Sequence, residues 1–278
     1  MKQRELVFTE KHFERIRRFV TEQCGIVINA SKMDMVYGRL SRRVRQTHGG
    51  DFDAFCALFE AGDAEEQDYL INAITTNLTA FFREKHHFSY LTETLVPQLR
   101  KQHQSDRRLR IWSAGCSTGE EPYSIAMVLC ETIPDWRDWD IKILATDLDG
   151  NVIETGRQGI YTEERLTGMP PEQIKRFFQK GRGQHQGLVR VREELRQLVH
   201  FKRLNLLTNW PMRGPFDVIF CRNVVIYFDK DTQRQLFARY ADILAPRGHL
   251  FIGHSESLYK VSDRFNNLGQ TIYQKLTG

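Results

Sequence analysis

The sequence predicts an α/β fold: a helical N-terminal domain, then a mostly parallel sheet that carries a small antiparallel insert. Three observations predict it. In the first 75 residues Gly and Pro are scarce and apolar residues recur at three- and four-residue spacing. From about residue 108 onward, short apolar runs alternate with stretches of helical spacing. Residues 181–192, GRGQHQGLVRVR, break that alternation with three glycines and then alternating apolar and basic residues, which suits a half-exposed strand.

The N-terminal helices are read from Phe13, Ile16 and Val20, then Val36, Leu40 and Val44, then Phe55, Leu58 and Phe59. Gly25, Gly49–Gly50 and Gly62 punctuate these runs. Residues 1–75 form this domain, and 76–92 read as a linker that contributes to a binding site. Residues 93–278 form the α/β domain, with the insert at about 175–200. The apolar runs that mark sheet strands are Leu109–Trp112, Ile141–Ala145, Val199–Leu204, Phe216–Phe220 and Leu250–Ile252. Ligands of such sheets bind beyond the carboxyl ends of the strands, so the residues after each run are the candidates.

Composition bounds the function. The chain has 278 residues, 41% hydrophobic and 27% charged, including 18 Phe, which excludes wholesale disorder. No apolar run approaches the ~18 residues of a membrane span, and the N-terminus lacks the apolar stretch of a signal peptide. Five scattered cysteines without a CxxC pair argue against a disulfide framework or a zinc ribbon, so no metal is expected and a reducing cytoplasm is. The net charge of +5 is a mild bias. Residues 1–75 hold 11 basic against 12 acidic side chains, yet Lys32, Arg39, Arg42, Arg43 and Arg45 cluster within 32–45. On a helix Val36, Leu40, Val44, Met33 and Tyr37 share one arc, and the four arginines lie outside it, read as one presented face. That face is read as a docking surface for an acidic partner.

The first strand is followed by Ser113-Ala114-Gly115-Cys116-Ser117-Thr118-Gly119-Glu120-Glu121-Pro122. A phosphate loop needs Lys after its second glycine; here Glu120 stands there. A carboxylate repels phosphate but holds a cationic or hydroxyl-bearing ligand, so a phosphate-free adenosyl ligand with a positive amino group fits, such as S-adenosyl-L-methionine. Asp147 ends the second strand, where an acid accepts from ribose hydroxyls; it lies 32 residues after Gly115, and Asp149 competes with it. Asn205 and Leu206 follow the third run, suited to gripping an adenine. Arg222 and Asn223 follow the fourth, with Tyr227 about one helical turn on. Thr75–Glu84, TTNLTAFFRE, combines polar tips with an apolar base.

TTNLTAFFRE, WSAGCSTGEEPYSIA, FDVIFCRNVVIYF and GHSES, in this order, resemble the chemoreceptor glutamate methyltransferases, the CheR family. The resemblance runs over nearly the whole chain and includes DMVYGRLSRRVR. It implies a Rossmann-like S-adenosylmethionine-dependent methyltransferase sheet with an N-terminal helical domain and a small inserted β-subdomain. The implied activity is transfer of methyl to glutamate side chains on the cytoplasmic helices of chemoreceptors, with S-adenosyl-L-homocysteine as product. By motif, the implied cofactor contacts are Asn77, Thr79, Arg83, Glu120, Asp147, Asn205, Leu206, Arg222 and Asn223. Arg83 and Tyr227 match residues placed near the transferred methyl. The insert resembles that of members which dock on a receptor's C-terminal pentapeptide; strand addition there would use Arg190 or Arg192 against an acidic residue. No general base is required, because a glutamate with a pKa near ~4.3 is already ionised. His86, His87 and His254 therefore receive no basic role. A nucleic acid methyltransferase is disfavoured because the Asn-Pro-Pro-aromatic and Pro-Cys signatures are missing. A non-catalytic cofactor sensor is disfavoured by the intact constellation. Neither nucleic acid binding nor membrane insertion is expected.

Overall fold

The computed structural model describes residues 5–277 and divides them into two compact units: residues up to Thr76 together with Tyr227–Thr232, and Asn77–Ile226 together with Gln233 onward.

The first unit is helical: α1 (Glu10–Cys24), α2 (Met33–Thr47), α3 (Phe52–Glu60) and α4 (Ala64–Ile74). Sequence-local chemistry sets the ends. Thr9 and His12 make a reciprocal capping box on α1, and Gly25 ends that helix in the left-handed conformation at φ 68°. Asp51 and Asp63 cap α3 and α4. The core joins Phe13, Ile16, Val20, Val36, Leu40, Val44, Phe55 and Phe59. Leu58, expected with them, is 38% exposed. It lies one residue from Phe59, about 100° round the helix, and so off the buried stripe.

The arc expected of α2 is present: Val36, Leu40 and Val44 are buried. The expected array of four presented arginines is not. Arg39 donates from Nη1 to the carbonyls of Ala73 (3.1 Å), Ile74 (2.9 Å) and Thr75 (2.9 Å), closing the C-terminus of α4. Arg43 binds Glu65 (2.6 Å) and buried Glu66 (2.5 Å). Arg45 pairs with Glu5 at 2.6 Å, and both ends of that pair are open to solvent. Arg42 is exposed. Two of the four guanidinium groups thus hold the domain together, because an arginine fork beside helix-end carbonyls or a buried carboxylate has stronger partners than water.

The second unit starts with a helical run, α5 (Lys85–Tyr90), a π-turn Leu91–Leu95 and α6 (Val96–Gln102). There follow β1 (Arg108–Ala114), α7 (Glu120–Thr132), β2 (Asp140–Asp147), α8 (Gly150–Gln158), β3 (Ile160–Thr162), α9 (Pro171–Phe177), β4 (Phe178–Lys180), β5 (Leu188–Val191), α10 (Glu193–Arg196), β6 (Val199–Arg203), β7 (Phe216–Cys221), α11 (Lys230–Ile243), β8 (Leu244–Ile252), β9 (Phe265–Gly269) and β10 (Ile272–Lys275). The seven-stranded sheet has order β6-β2-β1-β7-β8-β10-β9. Its first five strands pair in parallel, and β10 and β9 add antiparallel at one edge. Strand order reverses between β1 and β7, which opens a crevice beyond their carboxyl ends. All six residues of β7 are buried, as expected of a strand covered on both faces.

The insert is a three-stranded antiparallel sheet of order β3-β5-β4. Its first strand lies at Ile160–Thr162, well upstream of residue 175. Arg190 is on β5, which is central, paired with β3 on one side and β4 on the other. Both edges of β5 are therefore occupied, and the open edges of this sheet belong to β3 and β4. Arg192 lies just past β5, donating from Nη2 to the Lys175 carbonyl at 3.2 Å. No helix among the described residues is long and apolar enough to cross a membrane.

Candidate functional site

The candidate residues of the second unit collect beyond the ends of four adjacent strands. Gly115–Glu121 follows β1, Asp147 ends β2, Asn205–Leu206 follows β6 and Arg222–Asn223 follows β7. The residues in the loop after β1 make a tight turn: Gly115, Ser117 and Gly119 have φ of 86°, 48° and 99°. A Cβ at Gly115 would lie 2.2 Å from Val224, and one at Gly119 would lie 2.9 Å from the Tyr161 hydroxyl. Packing of the β7 turn and of the insert onto this loop already demands both glycines.

Glu120 is wholly buried at the start of α7. Its Oε2 accepts from the Thr118 hydroxyl at 2.6 Å. Its Oε1 accepts no hydrogen bond, with Arg165 Nη2 standing off at 3.6 Å. Burial pushes this carboxyl above its ordinary range, since desolvation outweighs the Thr118 bond. A buried carboxylate oxygen without a donor fits a ligand that brings one, such as an ammonium group.

Asp147 accepts from the backbone N–H of Ser117 (2.8 Å) and Asp149 (3.1 Å), joining the β1 loop to the β2 turn. Each carboxylate oxygen keeps a second acceptor position, so ribose hydroxyls fit. Burial raises its pKa, against those backbone bonds. The rival Asp149 has a different role: it caps α8 through Asn151 N–H (2.8 Å) and accepts from Asn77 Nδ2 (2.8 Å). Asn77 also accepts at its carbonyl from the Ser117 hydroxyl (3.0 Å), so the segment before α5 is stitched to the loop after β1. The Thr79 carbonyl accepts from Arg165 Nη1 (3.1 Å). Tyr161 of β3 donates to the Thr118 carbonyl (2.7 Å). Asn205 accepts at Oδ1 from Leu207 N–H (2.9 Å), and Leu206 is buried.

Arg222, expected as a ligand contact, meets its protein partners through Nη1 and Nη2. It is buried among protein partners: Glu121 (3.0 Å), Glu84 (3.3 Å) and the Arg83 carbonyl. A buried guanidinium needs such carboxylates, and Glu121 lies 101 positions away in sequence. Asn223, left-handed at φ 60°, donates from its backbone to Glu256 (3.0 Å) and from Nδ2 to Glu84 (3.3 Å). Glu256 of the GHSES stretch also accepts from the backbones of Gly253 and Ile226. Arg83 donates from Nη1 to the Leu78 carbonyl at 2.8 Å. Tyr227 is grouped with the helical unit, where its carbonyl accepts from Val27 N–H at 2.9 Å. Arg83 belongs to the other unit, so the pair named from the motif is not assembled within either one.

Sequence reasoning passed over Glu84, Glu121, Arg165 and Glu256. Glu84 and Glu256 stand inside the quoted motifs and Glu121 beside Glu120, so their signal was available. Arg165 carried none.

Residues 77–274 match the family described as CheR methyltransferase, SAM binding domain, and residues 11–75 match CheR methyltransferase, all-alpha domain. Chemotaxis protein methyltransferase 2 of Pseudomonas aeruginosa is 46% identical over 97% of this chain and 94% of its own length. The chemotaxis protein methyltransferase of Escherichia coli is 45% identical over 96% and 92%, and a probable chemotaxis protein methyltransferase of Rhizobium etli is 40% identical over 93% and 97%.

Proposed function

The chain belongs to the CheR methyltransferase family, and from that premise we propose that it transfers methyl from S-adenosyl-L-methionine to glutamate side chains on the cytoplasmic helices of chemoreceptors. The observation that carries the reading is the buried Glu120 carboxylate, one oxygen without a donor, on a glycine turn next to Asp147. An acid at that point suits an amino group and excludes the phosphates that a Lys-bearing loop would take.

S-adenosyl-L-methionine would supply a sulfonium methyl: a carbon–oxygen bond forms to the glutamate carboxylate as the carbon–sulfur bond breaks, and neutral S-adenosyl-L-homocysteine leaves. No proton moves, so the residues need only bind, orient and exclude water. Glu120 would take the amino group, Asp147 the ribose hydroxyls, and Asn205 with Leu206 the adenine. Arg83 would orient the incoming carboxylate. Positioning of this kind contributes up to ~7–11 kcal/mol. Arg83 must orient without fully neutralising the carboxylate, because a strongly paired carboxylate is a poorer nucleophile.

Arg42 and Arg45 would face acidic receptor helices, and the insert would hold a receptor C-terminal peptide by adding a strand to an edge of its small sheet. Incubation with radiolabelled cofactor and a receptor cytoplasmic fragment tests the reading. Methyl esters on glutamate, released by mild alkali, are expected. Label on nucleic acid, or none on any receptor fragment despite tight cofactor binding, would refute it.

A further inference from the structure

Arg83 sits in an unusual stretch of backbone. The residues on both sides of it are left-handed without being glycine: Phe82 at φ 52° and Glu84 at φ 58°. Each such residue costs on the order of 1–3 kcal/mol and persists only where its surroundings hold it. Phe82 is held by its N–H on the Ser124 hydroxyl (3.0 Å) and its ring against Phe88. Glu84 immediately precedes α5, at the position where a short polar side chain such as Ser, Thr, Asp or Asn would cap the helix. It makes no such bond. Its carboxylate turns instead to the sheet. Oε1 accepts from His254 Nδ1 (2.9 Å) and Asn223 Nδ2 (3.3 Å), and Oε2 faces Arg222 Nη2 (3.3 Å). Arg222 in turn donates to the Arg83 carbonyl.

One side chain therefore meets the two segments that follow β7 and β8, and through Arg222 it fixes the carbonyl of the residue beside it. We infer that Glu84 is a positioning residue for methyl transfer, its carboxylate holding the Arg83 turn and the Asn223 side chain in fixed relation. The inference rests on the reading that Arg83 orients the incoming carboxylate. Burial pushes the Glu84 carboxyl upward, but the His254 bond and the Arg222 charge prevail and hold it at about 2, so the clamp stays ionised across neutral pH.

The test is Glu84→Gln in the full chain, which keeps the shape and removes the charge. Four quantities are measured: kcat and KM on a receptor fragment, S-adenosyl-L-homocysteine affinity by calorimetry, and amide hydrogen exchange at 82–84 and 223–226. Expected are a kcat loss of at least about tenfold with KM and product affinity within about threefold, and faster exchange confined to those two stretches. Wild-type kcat with wild-type exchange would overturn the inference. So would exchange that rises throughout the second unit with equal losses in every constant, since that describes a merely structural residue. If the neutral variant does not fold, Glu84→Asp keeps the charge but is one methylene too short to keep all three contacts. The same split is expected of it, and wild-type behaviour would overturn the claim. Should the wild-type protein methylate no receptor fragment, the functional reading fails while the exchange data still decide the clamp.

Discussion

Replacing Glu120 by Gln should move stability and affinity in opposite directions. In the ligand-free protein the carboxylate is wholly buried, with one oxygen on Thr118 and the other without a donor. Its folded pKa is raised by desolvation, so its contribution to stability is fullest when the group is protonated and falls as pH rises through the folded value. The neutral amide removes that penalty. Ligand-free Glu120→Gln should melt higher than wild type above neutral pH, with the advantage shrinking in acid. For the ligand the sign reverses. A charge-assisted hydrogen bond contributes about 1.5–3 kcal/mol, so losing the one to an ammonium group should weaken binding between about tenfold and about a hundredfold. Thermal melts from pH 5 to 9 and calorimetry with S-adenosyl-L-homocysteine measure both. Unchanged affinity would remove Glu120 from the ligand site, and a lower melting point above neutral pH would refute the desolvation argument.

Asp147→Ala should weaken product binding by more than about tenfold, whereas Asp149→Ala should chiefly cost about 1 kcal/mol of stability as a lost helix cap, compared by calorimetry and denaturant melts. Arg83→Ala should lower turnover more than cofactor affinity, and Arg83→Lys should restore it incompletely because a point charge does not orient a carboxylate as a planar fork does; steady-state kinetics beside calorimetry checks this. The double change Arg42→Glu with Arg45→Glu should leave cofactor binding intact and sharply reduce receptor methylation at low ionic strength, while Arg43→Ala should destabilise the helical unit by about 1–3 kcal/mol, since Glu66 is buried beside it. A peptide ending in an aromatic-bearing acidic pentapeptide should slow amide exchange along the open edge of β3 or β4 and leave the already paired β5 unchanged; no protection at millimolar peptide would make the insert a plain surface sheet.

Much of the molecule was legible from local pattern. Hydrophobic spacing reports which face of one segment is buried, so it locates α2 with Val36, Leu40 and Val44 inward, and it locates β1, β2, β6 and β7 to within two residues at each end. A strand end is a local event as well, so Asp147 could be named from its place after an apolar run. Glu120 could be named because it stands where a phosphate loop has Lys. The short strands β3 and β4 leave no pattern, since three residues are too few to show a period, so the sequence places the start of the insert downstream of β3. Electrostatic partnership was not legible at all. Arg42 and Arg43 are neighbours in sequence, yet only the tertiary structure puts Glu66 beside Arg43. Arg222 reads as a ligand contact, and nothing along the chain reveals that Glu121 and Arg83, 101 and 139 positions away, meet it in a buried cluster. Spacing along a chain fixes which way a side chain points, but a buried charge is stabilised by whatever the fold brings within about 4 Å, and that distance is set by the packing of segments remote in sequence.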